Sequence, residues 1–332
     1  YWSICKYNDI MTVELDPLTY SSEVGGITIR DIPDDIRRRS FIQMDPPTHT
    51  AERKTVAPIV APFNLKNMTD QIRERTCYVL DGLPKNEEFD WVDHVSVELT
   101  TMMLATLFDF PWEDRRKLTF WSDLSTFTDF DAPDAMVRSE YEKVEKLREM
   151  TDYFGGLWNE RKDKEPSFDL ISMLAHSEAT QEMDLMKFMG QLTLLIVGGN
   201  DTTRNSMSGG LWYLSQNPAE FAKVRANHEL VPKLVAETIR FQAPIIHMRR
   251  TATRDVELGG KTIRQGDKVI MWYVSGNHDE EMIDRPNDFL VDRRKHRQHL
   301  SYGAGIHRCV GDRLADLQLA ILWEEILKRD LQ

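Results

Sequence analysis

Ser301-Tyr302-Gly303-Ala304-Gly305-Ile306-His307-Arg308-Cys309-Val310-Gly311-Asp312 is the stretch on which the reading of this chain turns. Two glycines precede the cysteine and one follows. Leu314, Leu317 and Ile321 then begin an apolar helical period. Cys309 is therefore expected on a tight loop that feeds a helix N-terminus, where unpaired amides and the helix dipole stabilise a thiolate. The glycines let the backbone fold close around sulfur or a flat cofactor. Taken alone, the segment leaves other readings open. A free cysteine is commonly a small buried hydrophobe. His296, His299 and His307 suggest a zinc site, although no second cysteine pair accompanies them. Gly303-Ala304-Gly305 fails as a dinucleotide loop, because Arg308 stands where the third glycine belongs.

Outward from this loop, most of the chain reads as helix: residues 48–60, 67–81, 92–108, 138–162, 185–216, 232–241 and 311–329. Gly82 with Pro84, Pro111, and Asn217-Pro218 mark helix stops. Residues 256–258 and 268–273 read as strands, with Gly259-Gly260 and Gly266-Asp267 as turns. Residues 276–299 are polar and aperiodic, a loop long enough to imply function or disorder. The expectation is one mainly helical domain over residues 1–332 with a small β appendage. Both ends look clipped, since Tyr1-Trp2-Ser3-Ile4 reads as the middle of a domain, so a targeting segment elsewhere stays open.

The net charge of -12 argues against a nucleic-acid binder. Three widely spaced cysteines fit a reducing cytoplasm better than a disulfide framework. No apolar run reaches the roughly 18 residues of a membrane span. There is no C-x-x-C, C-x-x-C-H or P-loop, which sets aside zinc ribbons, c-type haem attachment and Walker-type nucleotide hydrolysis.

Three further segments carry chemistry. Glu237 and Arg240 form an i,i+3 acid–base pair on a helix, by itself an ordinary surface pair. Gly198-Gly199-Asn200-Asp201-Thr202-Thr203 lies inside the long helix, where each glycine costs about 1 kcal/mol relative to alanine. Such glycines permit either a close helix contact or the approach of a flat ligand or dioxygen, and Thr202 can bond back and open the helix to water. His49 and Arg53, after Asp45-Pro46-Pro47, share a face at i,i+4 and read alone as a solvated basic pair.

Together these segments resemble the bacterial cytochrome P-450 enzymes, the haem-thiolate monooxygenases. The cysteine loop is similar to the family's F-G-x-G-x-H-x-C-x-G, with Tyr302 in place of Phe, a hydroxyl able to shift the iron's potential. The resemblance implies the family's helical prism with small β-sheets, haem b lying between the long distal helix and the cysteine-loop helix. It implies Cys309 as the iron ligand. It implies Glu237, Arg240 and Arg293 as a structural triad, and Asp201 and Thr202 as the proton relay of oxygen activation. Gly199 is implied beside the cofactor, with His49, Arg53, Arg250 and His307 as propionate partners. Arg249 receives no role, and His278 departs from the family's usual Asn-Arg-Asp at a minor contact. The four motifs fall in the family's chain order across residues 41–329.

The implied reaction inserts one atom of O2 into an unactivated C–H bond. Without a flavin or nicotinamide fingerprint, electrons are expected from a ferredoxin and its NAD(P)H-dependent reductase. The basic run Arg293-Arg294-Lys295-His296-Arg297 is a candidate docking patch. The wording around the motifs resembles a bacterial group that hydroxylates the terminal carbon of medium-chain alkanes and fatty acids. Leu194, Val197, Gly198, Ile245 and Ile246 are the expected apolar substrate wall. The alternatives are a monooxygenase of terpenoid or cyclic substrates, and a haem sensor or carrier, which would have no need of Asp201 and Thr202.

Overall fold

Helix dominates the computed structural model, which describes residues 1–329. The α-helices are α1 (Tyr7–Leu15), α2 (Thr48–Val56), α3 (Pro62–Asp81), α4 (Glu98–Phe108), α5 (Arg116–Thr126) and α6 (Glu140–Arg161). They continue with α7 (Leu170–His176), α8 (Leu185–Gln216), α9 (Pro218–Ala226), α10 (Val231–Gln242), α11 (Tyr273–Gly276) and α12 (Asp312–Lys328). The strands are β1 (Trp2–Ile4), β2 (Tyr20–Ser21), β3 (His247–Ala252), β4 (Val256–Leu258), β5 (Lys261–Ile263) and β6 (Lys268–Trp272). Contacts gather these elements into two compact units. The first comprises residues 1–29, 67–98 and the chain from Thr202 onward; the second comprises residues 30–66 and 99–201.

In the first unit, β1, β6, β3 and β2 form a sheet in that order. β1 runs parallel to β6, while β3 pairs antiparallel with β6, His247 opposite Trp272 and Thr251 opposite Lys268. Ile10 and Val13 of α1 pack with Tyr20, Val269, Met271, Tyr273 and Leu300 to bury one side of this sheet. Helix α10 is buried along Val231, Leu234, Val235 and Ile239, and takes Glu237 and Arg240 inside with them. It stops at Ala243, whose φ of 42° is left-handed. Residues 277–304 follow with no helix or strand, as their aperiodic sequence suggests.

In the second unit, the core is aromatic. Phe110 stacks on Tyr153 at 4.9 Å, and Trp121 and Phe154 close the cluster edge-on and tilted. Helix α6 starts where the Ser139 hydroxyl accepts the Glu142 amide, and α7 where the Asp169 carboxylate accepts the Ser172 amide. On α8, Gly190 lies hard against the backbone of Arg39, leaving no room for a Cβ.

Several elements differ from the sequence expectation. Helix α3 begins at Pro62 rather than 67, because proline is well placed in a first helical turn. Helices α1, α5, α7, α9 and α11 and strands β1, β2, β3 and β5 are not among the segments singled out in the sequence. Strand β3 carries Arg249 and Arg250 on successive residues, both buried, which erases the alternation that marks a half-exposed strand.

Two glycine substitutions separate close packing from helix propensity. Gly190→Ala drives its Cβ into the Arg39 backbone and is expected to destabilise the protein by about 1–3 kcal/mol. A Cβ on exposed Gly156 of α6 meets nothing within 4 Å, so Gly156→Ala should stabilise by about 0.5–1 kcal/mol. Denaturant midpoints of the two variants check both signs.

Candidate active site

Cys309 is exposed, lies outside any disulfide and stands three residues before α12 begins. Its amide donates to the Tyr302 carbonyl at 2.8 Å, closing the loop on itself. The closure requires Gly303 at φ 66° and Gly305 at φ 61°, the left-handed region. A Cβ on Gly305 would collide with the Glu14 carbonyl. His307 ends a 3-10 turn, with Nε2 3.0 Å from the Ser22 hydroxyl.

The loop is held from behind. The Glu237 carboxylate receives Arg240 Nε and Nη2 at 2.9 and 2.8 Å and Arg293 Nε and Nη2 at 2.8 and 3.0 Å. All three side chains are buried, so this is no surface pair. Burial alone would raise the Glu237 carboxyl, but the two guanidiniums and the Leu290 amide outweigh it and hold its pKa below the ordinary value. Arg240 Nη1 donates to the carbonyls of Asn277 and Pro286 at 2.8 and 2.9 Å. Asn277 then reaches the cysteine loop. Its Oδ1 accepts the Leu300 amide at 2.6 Å, and its Nδ2 donates to the Ser301 hydroxyl at 2.8 Å. Sequence reasoning missed Asn277. Its only signal was its place beside His278, which bonds the Val274 carbonyl at 2.8 Å through Nδ1 and packs on Phe241.

The Tyr302 hydroxyl, expected near the thiolate, is spent elsewhere: it donates to Asp316 Oδ1 on α12 at 2.8 Å. Burial, then the charge of Asp316, pushes the phenol up, and burial also raises Asp316 despite the hydrogen bond. His299 packs on the Tyr302 ring, and burial pulls its pKa down to about 4. Among the described residues no group of three or more His, Cys, Asp or Glu side chains could hold a metal ion, which removes the zinc reading.

In the same unit Arg250 is buried, donating to Glu14 Oε2 at 3.2 Å and to the Arg249 carbonyl at 2.9 Å. Glu14 also receives the Tyr273 hydroxyl. Arg249 has a structural place: its guanidinium reaches the Thr28 carbonyl at 3.4 Å and the Thr251 hydroxyl at 3.3 Å. Ile245 is half-buried, and Ile246 is 54% exposed.

The second unit holds the other residues. On α8, Leu194, Val197 and Asp201 are half-buried and Gly198 is exposed, where a Cβ would meet nothing within 4 Å. A Cβ on Gly199 would press on the Leu104 side chain at 2.7 Å, so the two glycines serve different ends, one an open face and one a close helix contact. Asn200 is buried and accepts the Thr100 hydroxyl at 2.7 Å. Thr202, the next residue after Asp201, belongs to the first unit, and its carbonyl accepts the Ser206 hydroxyl at 2.9 Å. His49 is buried and Arg53 half-buried on α2. Between them in sequence, buried Glu52 pairs with Lys187 at 2.6 Å and accepts Gln191 Nε2 at 2.5 Å.

The donor chemistry fits a haem. The accessible Cys309 sulfur suits an iron whose other ligands a macrocycle would bring. The helix glycine open on one side suits a flat partner. Of the implied propionate partners, Arg250 and His307 lie in the first unit and His49 and Arg53 in the second, and Arg250 shares its charge with Glu14.

The family model described as Cytochrome P450 matches residues 28–329. Linalool 8-monooxygenase of Pseudomonas putida is 35% identical over 340 residues, covering 99% of this chain and 82% of that protein. The structure of cytochrome P450-153 from Novosphingobium aromaticivorans is 48% identical at a TM-score of 0.90, covering 98% of this chain and 82% of that one. That of CYP153D17 from Sphingomonas sp. PAMC 26605 is 51% identical at a TM-score of 0.89, with 98% and 81% covered.

Glu237→Gln leaves two buried guanidiniums without an anion, and should cost about 3–5 kcal/mol in stability. Because the folded pKa of Glu237 is depressed, its contribution is full above the unfolded carboxylate value and drains as pH falls through the depressed one. Melting curves between neutral pH and pH 3 should therefore converge for wild type and variant at the acid end. A constant gap across that range would contradict the assignment.

Proposed function

Because this chain belongs to the cytochrome P450 family and is a haem-dependent monooxygenase, we propose that it hydroxylates the terminal carbon of medium-chain alkanes or fatty acids. The observation that carries the reading is the lane on α8: half-buried Leu194 and Val197 lead to Gly198, whose face is open. The family's haem b, ligated through a thiolate, supplies activation of O2 toward unactivated C–H bonds.

The residues of this chain do the rest. Cys309 would hold the iron as a thiolate, its negative charge favoured by the start of α12. His49, Arg53, Arg250 and His307 orient the propionates, and Gly199 keeps the helix close. Thr202 holds the proton at its hydroxyl and Asp201 passes it inward from solvent. A terminal C–H bond is stronger than its secondary neighbours, so attack at the chain end requires walls that hold the methyl group and exclude the next carbon. On α8, Leu194, Val197 and Gly198 would be such walls, and the resemblance adds Ile245 and Ile246. Chain burial contributes about 0.8 kcal/mol per methylene, so affinity climbs with length until the lane is full.

Electrons come from a ferredoxin and its NAD(P)H-dependent reductase. The docking patch differs from the run expected from sequence, because Arg293 is buried in the Glu237 pair. Arg294, Lys295 and Arg297 remain exposed, as do Arg308 and Arg313 around the cysteine loop. No described helix is long and apolar enough to cross a membrane. A terpenoid substrate is the second reading, favoured by the 35% identity to linalool 8-monooxygenase.

Chromatography of products from octane, octanoate and linalool tests the proposal in the enzyme reconstituted with a ferredoxin system. The expected result is octan-1-ol and 8-hydroxyoctanoate as the main products, with linalool turned over more slowly. Mostly internal alcohols from the linear chains, or linalool as the preferred substrate, would overturn terminal hydroxylation of linear chains.

A further inference from the structure

Arg38 lies in the irregular segment before the 3-10 turn Phe41–Gln43 of the second unit. The contact of Arg39 with Gly190 lays this segment directly on α8. One turn further along that helix, Arg38 Nη1 reaches the Thr193 hydroxyl at 3.4 Å. Among the described residues this long hydrogen bond is the guanidinium's only one, and Arg38 forms no ion pair. The side chain is half-buried, so part of it stays accessible. Burial pulls its pKa down, and the charge of Glu140 opposes that only in part.

Glu140 is already committed. Its Oε1 pairs with Lys143 Nζ at 3.0 Å, and Lys143 is itself buried beneath the Phe130 ring. Burial lowers Lys143 too, with Arg38 among the charges that add to the effect. Lys143 thus holds the carboxylate that half-buried Arg38 feels only at longer range. A poorly partnered charge in such a place is costly, and a ligand of opposite sign would relieve that cost.

The direction of the lane identifies the ligand. From Thr193 to the Gly198–Asp201 stretch is five to eight residues of α8, about 8–12 Å at the helical rise. The intervening Leu194 and Val197 are apolar. An extended chain advances about 1.2 Å per bond, so roughly six to ten bonds span that distance.

We propose that Arg38 receives the carboxylate of a medium-chain fatty acid, so that this enzyme prefers anionic chains to neutral ones of equal length. The proposal rests on the terminal-hydroxylation reading. The carboxylate pairs with the guanidinium while the hydrocarbon follows Leu194 and Val197 toward Gly198, which presents the far end of the chain to the reaction. Arg38 acts as a binding and length-selecting residue, and takes no part in the chemistry.

The test uses haem-loaded wild type, Arg38→Leu, Arg38→Gln and Arg38→Lys. Dissociation constants for decanoate and for decan-1-ol are measured by calorimetry and by the ligand-induced change in the haem spectrum. In wild type decanoate binds the tighter. The leucine and glutamine variants should lose about thirtyfold or more of that selectivity, as expected for a buried charge pair that loses one member, and lysine should retain part. The thermal midpoint of the ligand-free protein should rise or hold in the leucine and glutamine variants, because an unbalanced buried charge has gone. If leucine prevents haem loading, glutamine carries the comparison. Unmoved selectivity, or equal loss for both ligands with a lower midpoint, would overturn the proposal. Product analysis separates the two levels. Internal hydroxylation of decanoate with selectivity that collapses in the variants refutes the terminal reading and keeps Arg38 as the anchor. Terminal hydroxylation with unmoved selectivity refutes Arg38 alone.

Discussion

Glu237 is a carboxylate buried between two guanidiniums, and the cysteine loop depends on it. Residues 277–304 contain no helix or strand, so their backbone polar groups must find partners elsewhere. Arg240 and Arg293 are those partners. Beyond Glu237, Arg240 donates to the carbonyls of Asn277, Pro286 and Asp288, and Arg293 to those of Asp284, Arg285 and Asp288. Two such cations would repel each other without an anion between them. With Glu237 present, they become a rigid peg around which an aperiodic chain is wound. Asn277 transmits that rigidity to Leu300 and Ser301, the residues that enter the loop of Cys309.

The same unit shows how buried positive charge is normally settled. The surplus charge of Arg240 and Arg293 is spread over backbone carbonyls, and Arg250 has the Glu14 carboxylate, which is shared in turn with Tyr273. Among the described residues Arg38 has neither kind of partner, only the Thr193 hydroxyl at 3.4 Å, while nearby Glu140 is bound to Lys143. The contrast separates structural cations from one held in readiness. Structural arginines are saturated by the chain itself. A recognition arginine keeps donors for what the chain does not contain.

Local signals were legible in the sequence and non-local ones were not. The glycines around Cys309, the helix stops at Pro111 and Asn217-Pro218, and the aperiodic stretch after Gly276 each act within a few residues, and the elements fall close to where they indicate. The triad of Glu237, Arg240 and Arg293 was legible only through resemblance, because an i,i+3 pair alone gives no hint of burial. Strand β3 was hidden by its two inward arginines. Asn277, Glu14 and Asp316 were missed because their partners lie 14 to 236 residues away, as for Tyr302–Asp316 and Glu14–Arg250. Arg38 gave no signal either, since its contact with Thr193 lies 155 residues away.

We propose that Cys309, on a loop pinned by Glu237, binds haem iron as a thiolate, and the absorption spectrum of the reduced, carbon-monoxide-bound protein decides it. The expected result is a long-wavelength Soret band in the wild type that is lost in Cys309→His while haem remains bound. A wild-type spectrum like that of a histidine-ligated globin, or a Soret band unchanged in Cys309→His, would contradict it.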